Sequence, residues 1–225
     1  MSQWTLPPQF TLLVALALLF WVVAHNLPAA LLFLFPRLMR SRETDDDGSL
    51  DPDNTPSMER VHADLRELGF VKLGAIEVCP PLSPCLPDLV YGAPALATFA
   101  DLNGRGGSLR ITLFTPFQSG EVVVTSNYRR RGSHSPALLV GGLPGHDVPE
   151  IWAAHRRRST QMTEGPRHAV PWPDITLEGR LAANDQFYAG VGKSELRARG
   201  GFPLIMLTTG LVLMAYVGVN LARFF

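Results

Sequence analysis

Residues 202–222 read FPLIMLTTGLVLMAYVGVNLA, a run without a single charge. As a helix rising about 1.5 Å per residue, it is long enough to cross a hydrocarbon core roughly 30 Å thick. Its polar members, Thr208, Thr209 and Asn220, find partners within the helix or across to a neighbour. Pro203 falls in the first turn, where its missing N–H costs little. A second uncharged run, Phe10–Phe35, is interrupted by His25, Asn26 and Pro28. It reads either as one kinked, tilted span or as a shorter span ending near Ala24 followed by an interfacial stretch. Nothing before Arg37 is basic except the terminal amine, which argues for an anchor over a cleaved signal peptide. Together the two runs predict a two-pass membrane protein with one polar domain strung between the spans.

The flanks suggest an orientation. Arg37, Arg40 and Arg42 follow the first run, and Lys193, Arg197 and Arg199 precede the second; beyond the pair there is only Arg223. Basic residues stay on the cytoplasmic side, so the expectation is both termini outside and the central domain in the cytoplasm of a cell bounded by this membrane. The partners expected at this level are the bilayer and another membrane protein or a second copy, met through the spans. Gly218 and Ala222 make a small-residue pair on which such helices can close. His25 has no ionisable partner in either run and reads as a structural residue beside the proline.

Between the spans, Glu43 to Asn54 holds six acidic residues with Gly, Ser and Pro and almost nothing apolar, the composition of a flexible linker. A helix is expected from Thr55 or Ser57, with Val61, Leu65 and Leu68 at helical spacing and Gly69 as its stop. Strands are expected at Phe70–Val78, Ala95–Leu102, around Leu109, Ile111 and Leu113, and at Glu121–Ser126, with turns at Asn103–Gly107 and Pro116–Gly120. Asp147 and Glu150 resemble a capping box that opens a helix running to about Met162. Gly165–Pro173 reads as loop and Ile175–Tyr188 as helix. The fold class is therefore α+β: two transmembrane helices flanking a two-layer domain, a small antiparallel sheet packed on helices. The chain divides into a span with its basic flank (1–42), an acidic linker (43–56), the α+β domain (57–165), a loop and juxtamembrane helix (166–200) and a second span (201–225).

Motifs for chemistry fail on spacing. Gly190-Val191-Gly192-Lys193-Ser194 looks like the end of a phosphate-binding loop, but the position that must hold the first glycine is Phe187. Gly104–Gly107 is explained by a hairpin turn without an anion. Cys79 and Cys85 bracket Pro-Pro-Leu-Ser-Pro; the spacing is not CxxC, and a cytoplasmic pair would stay reduced, whereas a disulfide would point to an extracytoplasmic domain. His62, His134, His146, His155 and His168 form no HxxxH or HExxH pattern. No cofactor, metal or catalytic set is expected.

Two basic clusters remain, Arg129-Arg130-Arg131 after a strand and Arg156-Arg157-Arg158 on a helix. Facing an anionic leaflet, each arginine gains up to about 1 kcal/mol, so these six are the candidate membrane or partner contacts. Twenty basic residues balance twenty acidic ones, and aromatics are not interleaved with the arginines, which argues against nucleic acid. The function that follows is a non-enzymatic interaction or accessory module of a membrane complex. The alternative is a membrane-anchored enzyme or small-ligand binder using His134, His146 or His155 beside an acidic residue such as Asp147. A third class, an extracytoplasmic sensor or assembly factor, requires the inverted topology.

Overall fold

A computed structural model of the chain describes residues 7–45, 55–105, 108–130, 132, 133, 135–166 and 168–224. The chain divides into two units: Met1–Leu38, Pro81–Ser83 and Leu196–Phe225 form one, Met39–Pro80 and Pro84–Glu195 the other.

In the first unit, α1 (Pro8–Leu34) is one helix with Pro28 inside it. The apolar run does not break near Ala24 but continues as a single helix. Pro8–Leu34 and Gly201–Phe224 have mean hydropathies of 2.1 and 2.0, long and apolar enough to cross a membrane. Polar side chains in these helices turn back on their own backbone, as apolar surroundings demand. Asn26 Nδ2 donates to Val22 O at 2.8 Å, Thr208 Oγ1 to Leu204 O at 3.1 Å and Asn220 Nδ2 to Tyr216 O at 2.8 Å. His25 stacks on Trp21, with ring centroids 5.3 Å apart. The close approach of the two helices is at Gly210, where an added Cβ would lie 2.9 Å from Val23 Cγ2. Gly218, expected to serve that purpose, has open space around it.

The second unit is built on a sheet in which every strand pairs with its sequence neighbours: β1 (Arg40–Thr44), β2 (Val71–Cys79), β3 (Leu86–Ala93), β4 (Thr98–Arg105), β5 (Ser108–Pro116), β6 (Val122–Ser126) and β7 (Leu138–Gly142). The first six run antiparallel, as short turns dictate. β6 and β7 are parallel, so the sheet is mixed and not the antiparallel meander expected from sequence. β1 was read as basic flank and linker. β3, with Pro87 and Asp88 near its start, and β7, with two glycines at its end, lack the period-2 signal and went unassigned. Ala95, expected in a strand, lies in a single 3-10 turn, Pro94–Leu96, and the strand starts at Thr98. The β4–β5 register reaches Arg105 opposite Ser108; the Gly106-Gly107 turn itself, like residues 46–54 of the acidic linker, lies outside the described residues.

Alternation along the strands sends side chains to two faces, and both are covered. On one face, Leu102, Ile111 and Leu113 pack with Leu65 of α2 (Thr55–Glu67) and Ile151 and Trp152 of α3 (Val148–Glu164). On the other, Val90, Phe99, Phe114 and Val124 pack with Ile175 and with Ala183 of α4 (Leu177–Ala189). The two-layer expectation is therefore corrected: helices lie on both sides of the sheet, because α4 belongs to the domain core. The caps are local. Gly69 takes φ +85° at the end of α2, and Phe70 N–H bonds back to Leu65 O at 2.9 Å, which closes the helix. Asp147 caps α3 by accepting from Glu150 N at 3.1 Å, while the Glu150 carboxylate pairs with His146. α5 (Val191–Leu221) begins directly after Gly190, which caps α4 with its N–H on Gln186 O.

Gly142, at the end of β7, has no room for a side chain: an added Cβ would lie 2.4 Å from Tyr128 O and 2.7 Å from Arg130 N. Backbone cannot rotate away as a side chain can. Gly142→Ala is therefore expected to destabilise the domain by about 1–3 kcal/mol, read as a lower denaturation midpoint, while Gly132→Ala, with open space around it, should leave that midpoint within about 0.5 kcal/mol of wild type.

Candidate functional site

The face of the sheet that packs on α4 is apolar at one end and polar at the other. On β3, β4 and β5 the residues facing α4 run Asp88 then Val90, Asn103 then Asp101 then Phe99, and Arg110 then Thr112 then Phe114. Arg110 and Thr112, which alternate with Leu109, Ile111 and Leu113 along β5, floor a cleft of about 280 Å³, walled by Arg180, Asn184, Phe187 and Tyr188 of α4 and by Tyr128 and Arg130 after β6.

Arg180 is the centre of one wall. Its Nε and Nη2 donate to the two carboxylate oxygens of Asp101 at 3.1 and 2.6 Å, and its Nη1 donates to Asn184 Oδ1. Both ends of the pair are buried, at 5% and 7% exposure, and the guanidinium lies 4.1 Å from the Phe114 ring centroid. Removing one partner of such a pair typically costs about 3–5 kcal/mol, since the other charge is left buried and uncompensated. Asn184 passes the connection on by donating to Ser41 Oγ of β1 at 3.0 Å. Burial pushes the Tyr188 phenol up, and the neighbouring Arg180 pulls it partly back.

The opposite wall is less satisfied. Arg130 Nη2 donates to Tyr128 Oη and to Thr112 Oγ1, the latter at 3.3 Å. Arg110 and Arg130 each lie over the Tyr128 ring, 5.3 and 5.1 Å from its centroid. Among the described residues, neither takes part in an ion pair. Arg130 Nε is buried without a hydrogen-bond partner, and so is Asn103 Oδ1, whose Nδ2 donates to Asp88 at 2.7 Å. A buried polar atom left unmet costs about 1–3 kcal/mol. Among the described residues, no histidine, cysteine or serine lines the cleft.

The six arginines singled out from sequence do not form one surface. Arg129, Arg156 and Arg157 are exposed. Arg130 turns into the cleft. Arg158 turns into the domain: its Nη1 donates to Thr125 Oγ1 at 3.0 Å, and its guanidinium fills the space over Gly141 where a Cβ would sit, at 2.2 Å. Arg131 lies outside the described residues. Burial and the Arg157 charge lower the Arg158 guanidinium from its ordinary value.

Nor do the histidines gather. His155 is fully buried under α3, with Nε2 2.8 Å from Thr115 Oγ1 and Nδ1 3.0 Å from Thr125 Oγ1. Thr115 in turn bonds Thr98 at 2.7 Å. His146 is exposed and pairs with Glu150 at 2.7 Å. His62 lies against Tyr91, His168 is exposed, and His134 lies outside the described residues. Cys79 and Cys85, thiols or a disulfide according to the side of the membrane, are joined in a disulfide across the β2–β3 turn. The glycines of Gly190–Ser194 serve the α4–α5 junction, with Gly192 pressed against Phe187.

No protein-family model, curated protein or solved structure matches this chain.

Burial of His155, reinforced by the Arg158 charge, holds its imidazole down to about 3. The unfolded chain protonates near 6.5 and the folded one does not, so stability is flat above pH 6.5 and falls as pH drops from there towards 3. The fall from this group alone is about 1.4 kcal/mol per pH unit. Replacing His155 by Gln keeps a donor and an acceptor but removes the titration. Denaturation midpoints measured from pH 7 to 5 should fall less steeply for the variant; parallel curves would show that His155 is not held neutral.

Proposed function

We propose that this chain is a two-pass membrane protein whose sheet domain is a non-enzymatic recognition module, serving a membrane complex and receiving a small polar ligand in the α4 cleft. The observation that supports it is the cleft itself: a concave site with aromatic walls and a few convergent polar groups, two of them unmet among the described residues. Of the histidines in the enzyme alternative, His155 is buried in the core, His146 pairs with Glu150 at the surface, and His134 lies outside the described residues. Exposed Arg129, Arg156 and Arg157, with Arg131 outside the described residues, remain candidates for contact with an anionic leaflet or an acidic partner.

A ligand that binds only the folded domain at a hundred times its Kd stabilises it by about 2.7 kcal/mol. The full chain in phospholipid nanodiscs, melted against a panel of small anionic, neutral and cationic polar compounds, should show a raised Tm with at least one. Thr112→Phe, which fills the cleft floor, should abolish the shift. A panel without any shift overturns the reading.

The basic residues flanking both apolar helices favour a domain on the cytoplasmic side, with both termini outside. The Cys79–Cys85 bond pulls the other way, since cytoplasmic thiols are kept reduced. Labelling these cysteines after reduction with an impermeant reagent separates the two. Modification only in permeabilised cells is the expected result; modification of intact cells would invert the topology and make an external sensor or assembly role the working reading.

A further inference from the structure

The α4 cleft is lined by three guanidiniums, Arg110, Arg130 and Arg180, against two carboxylates, Asp88 and Asp101. Arg180 and Asp101 cancel each other through two hydrogen bonds. Asp88 accepts from the neutral amide of Asn103, so Arg110 and Arg130 against Asp88 leave the cleft one net positive charge. Both guanidiniums lie over the Tyr128 ring, so their planes and forks are held in place before any ligand arrives. An arginine fork matches a carboxylate in geometry and charge. The unmet acceptor, Asn103 Oδ1, adds a second requirement, because it is answered only by a donor. It sits on β4 directly opposite Arg110 of β5 in the strand register, so the anion-binding and donor-seeking groups are neighbours across one strand pair. The aromatic walls, Phe114, Phe187 and Tyr188, limit the occupant to something small.

We infer that the cleft binds a small carboxylate carrying a hydroxyl or amino group next to it, with Arg110 and Arg130 on the carboxylate and Asn103 accepting from the neighbouring donor. This rests on the recognition-module reading given above and narrows its ligand.

The test uses the full chain in nanodiscs of phosphatidylcholine alone, so that no lipid carboxylate competes, with four probes of similar size: glycolate, acetate, glycolamide and ethanolamine. Glycolate should bind most tightly, acetate several-fold more weakly, and the neutral and cationic probes at least about tenfold more weakly than glycolate. Arg110→Gln, which removes a side chain whose contact is the Tyr128 ring, should weaken glycolate and acetate alike by roughly tenfold. Asn103→Leu should remove the preference for glycolate over acetate. Glycolamide binding as well as glycolate, or ethanolamine binding better, overturns the carboxylate inference while leaving a ligand-binding cleft intact. Anion binding that ignores both substitutions overturns the site. If no probe binds, the inference fails; if the wider panel is silent as well, the recognition reading fails with it.

Discussion

Arg180 reaches from α4 into the middle of the sheet and meets Asp101 of β4 with both forks of its guanidinium. Two charges held almost out of water need such geometry, with a third donor met by Asn184 and the guanidinium laid on Phe114. Because strand and helix are fixed to each other there, the polar ends of β3, β4 and β5 cannot be sealed by α4 sliding along the sheet. The cleft is what remains uncovered. Hydrophobic residues of the same volume would hold α4 at least as firmly, so the pair is better understood as setting the helix's register than as adding stability.

Where the sequence was legible, one face of an element was unambiguous. Val61, Leu65 and Leu68 with Gly69 marked α2, and Asp147 with Glu150 marked the start of α3, because caps and helical spacing depend on residues close together in the chain. β5 was found for the same reason, through Leu109, Ile111 and Leu113. The failures have a common origin too. β1 carries no apolar residue, β3 starts Leu86-Pro87-Asp88 and β7 ends in two glycines; each becomes a strand because a neighbour supplies its hydrogen bonds, which no local pattern records. The second helical layer was missed because α4 was attributed to the membrane-proximal segment, although Ala183 and Ile175 complete the apolar core on that face.

The candidate site was legible only in parts. Arg130 was picked out for its charge, but its place beside Tyr128 and Thr112 follows from strand pairing, and so does that of Arg110, which looked like an ordinary solvent-facing residue. A hint was present in the number of polar residues at corresponding places on consecutive strands: Asp88, Asn103 and Arg110 lie side by side across the hairpins, an arrangement that a plain solvent face does not require. The histidines show the reverse case. His155 attracted interest as a titratable residue, yet three threonines and the underside of α3 claim it for the core.

β1 closes one margin of the sheet, with Arg40, Arg42 and Glu43 exposed along it and Arg42 bridged to Glu77 at 2.8 Å. A chain held in a bilayer, as proposed here, diffuses in two dimensions, so copies meet far more often than at the same abundance in solution, and they meet with shared orientation. Under such crowding an apolar strand margin would recruit its own kind into extended ribbons. Exposed Arg40, Arg42 and Glu43 put hydrated charge along that margin, so the strand that a sequence reader takes for linker disfavours edge-to-edge pairing.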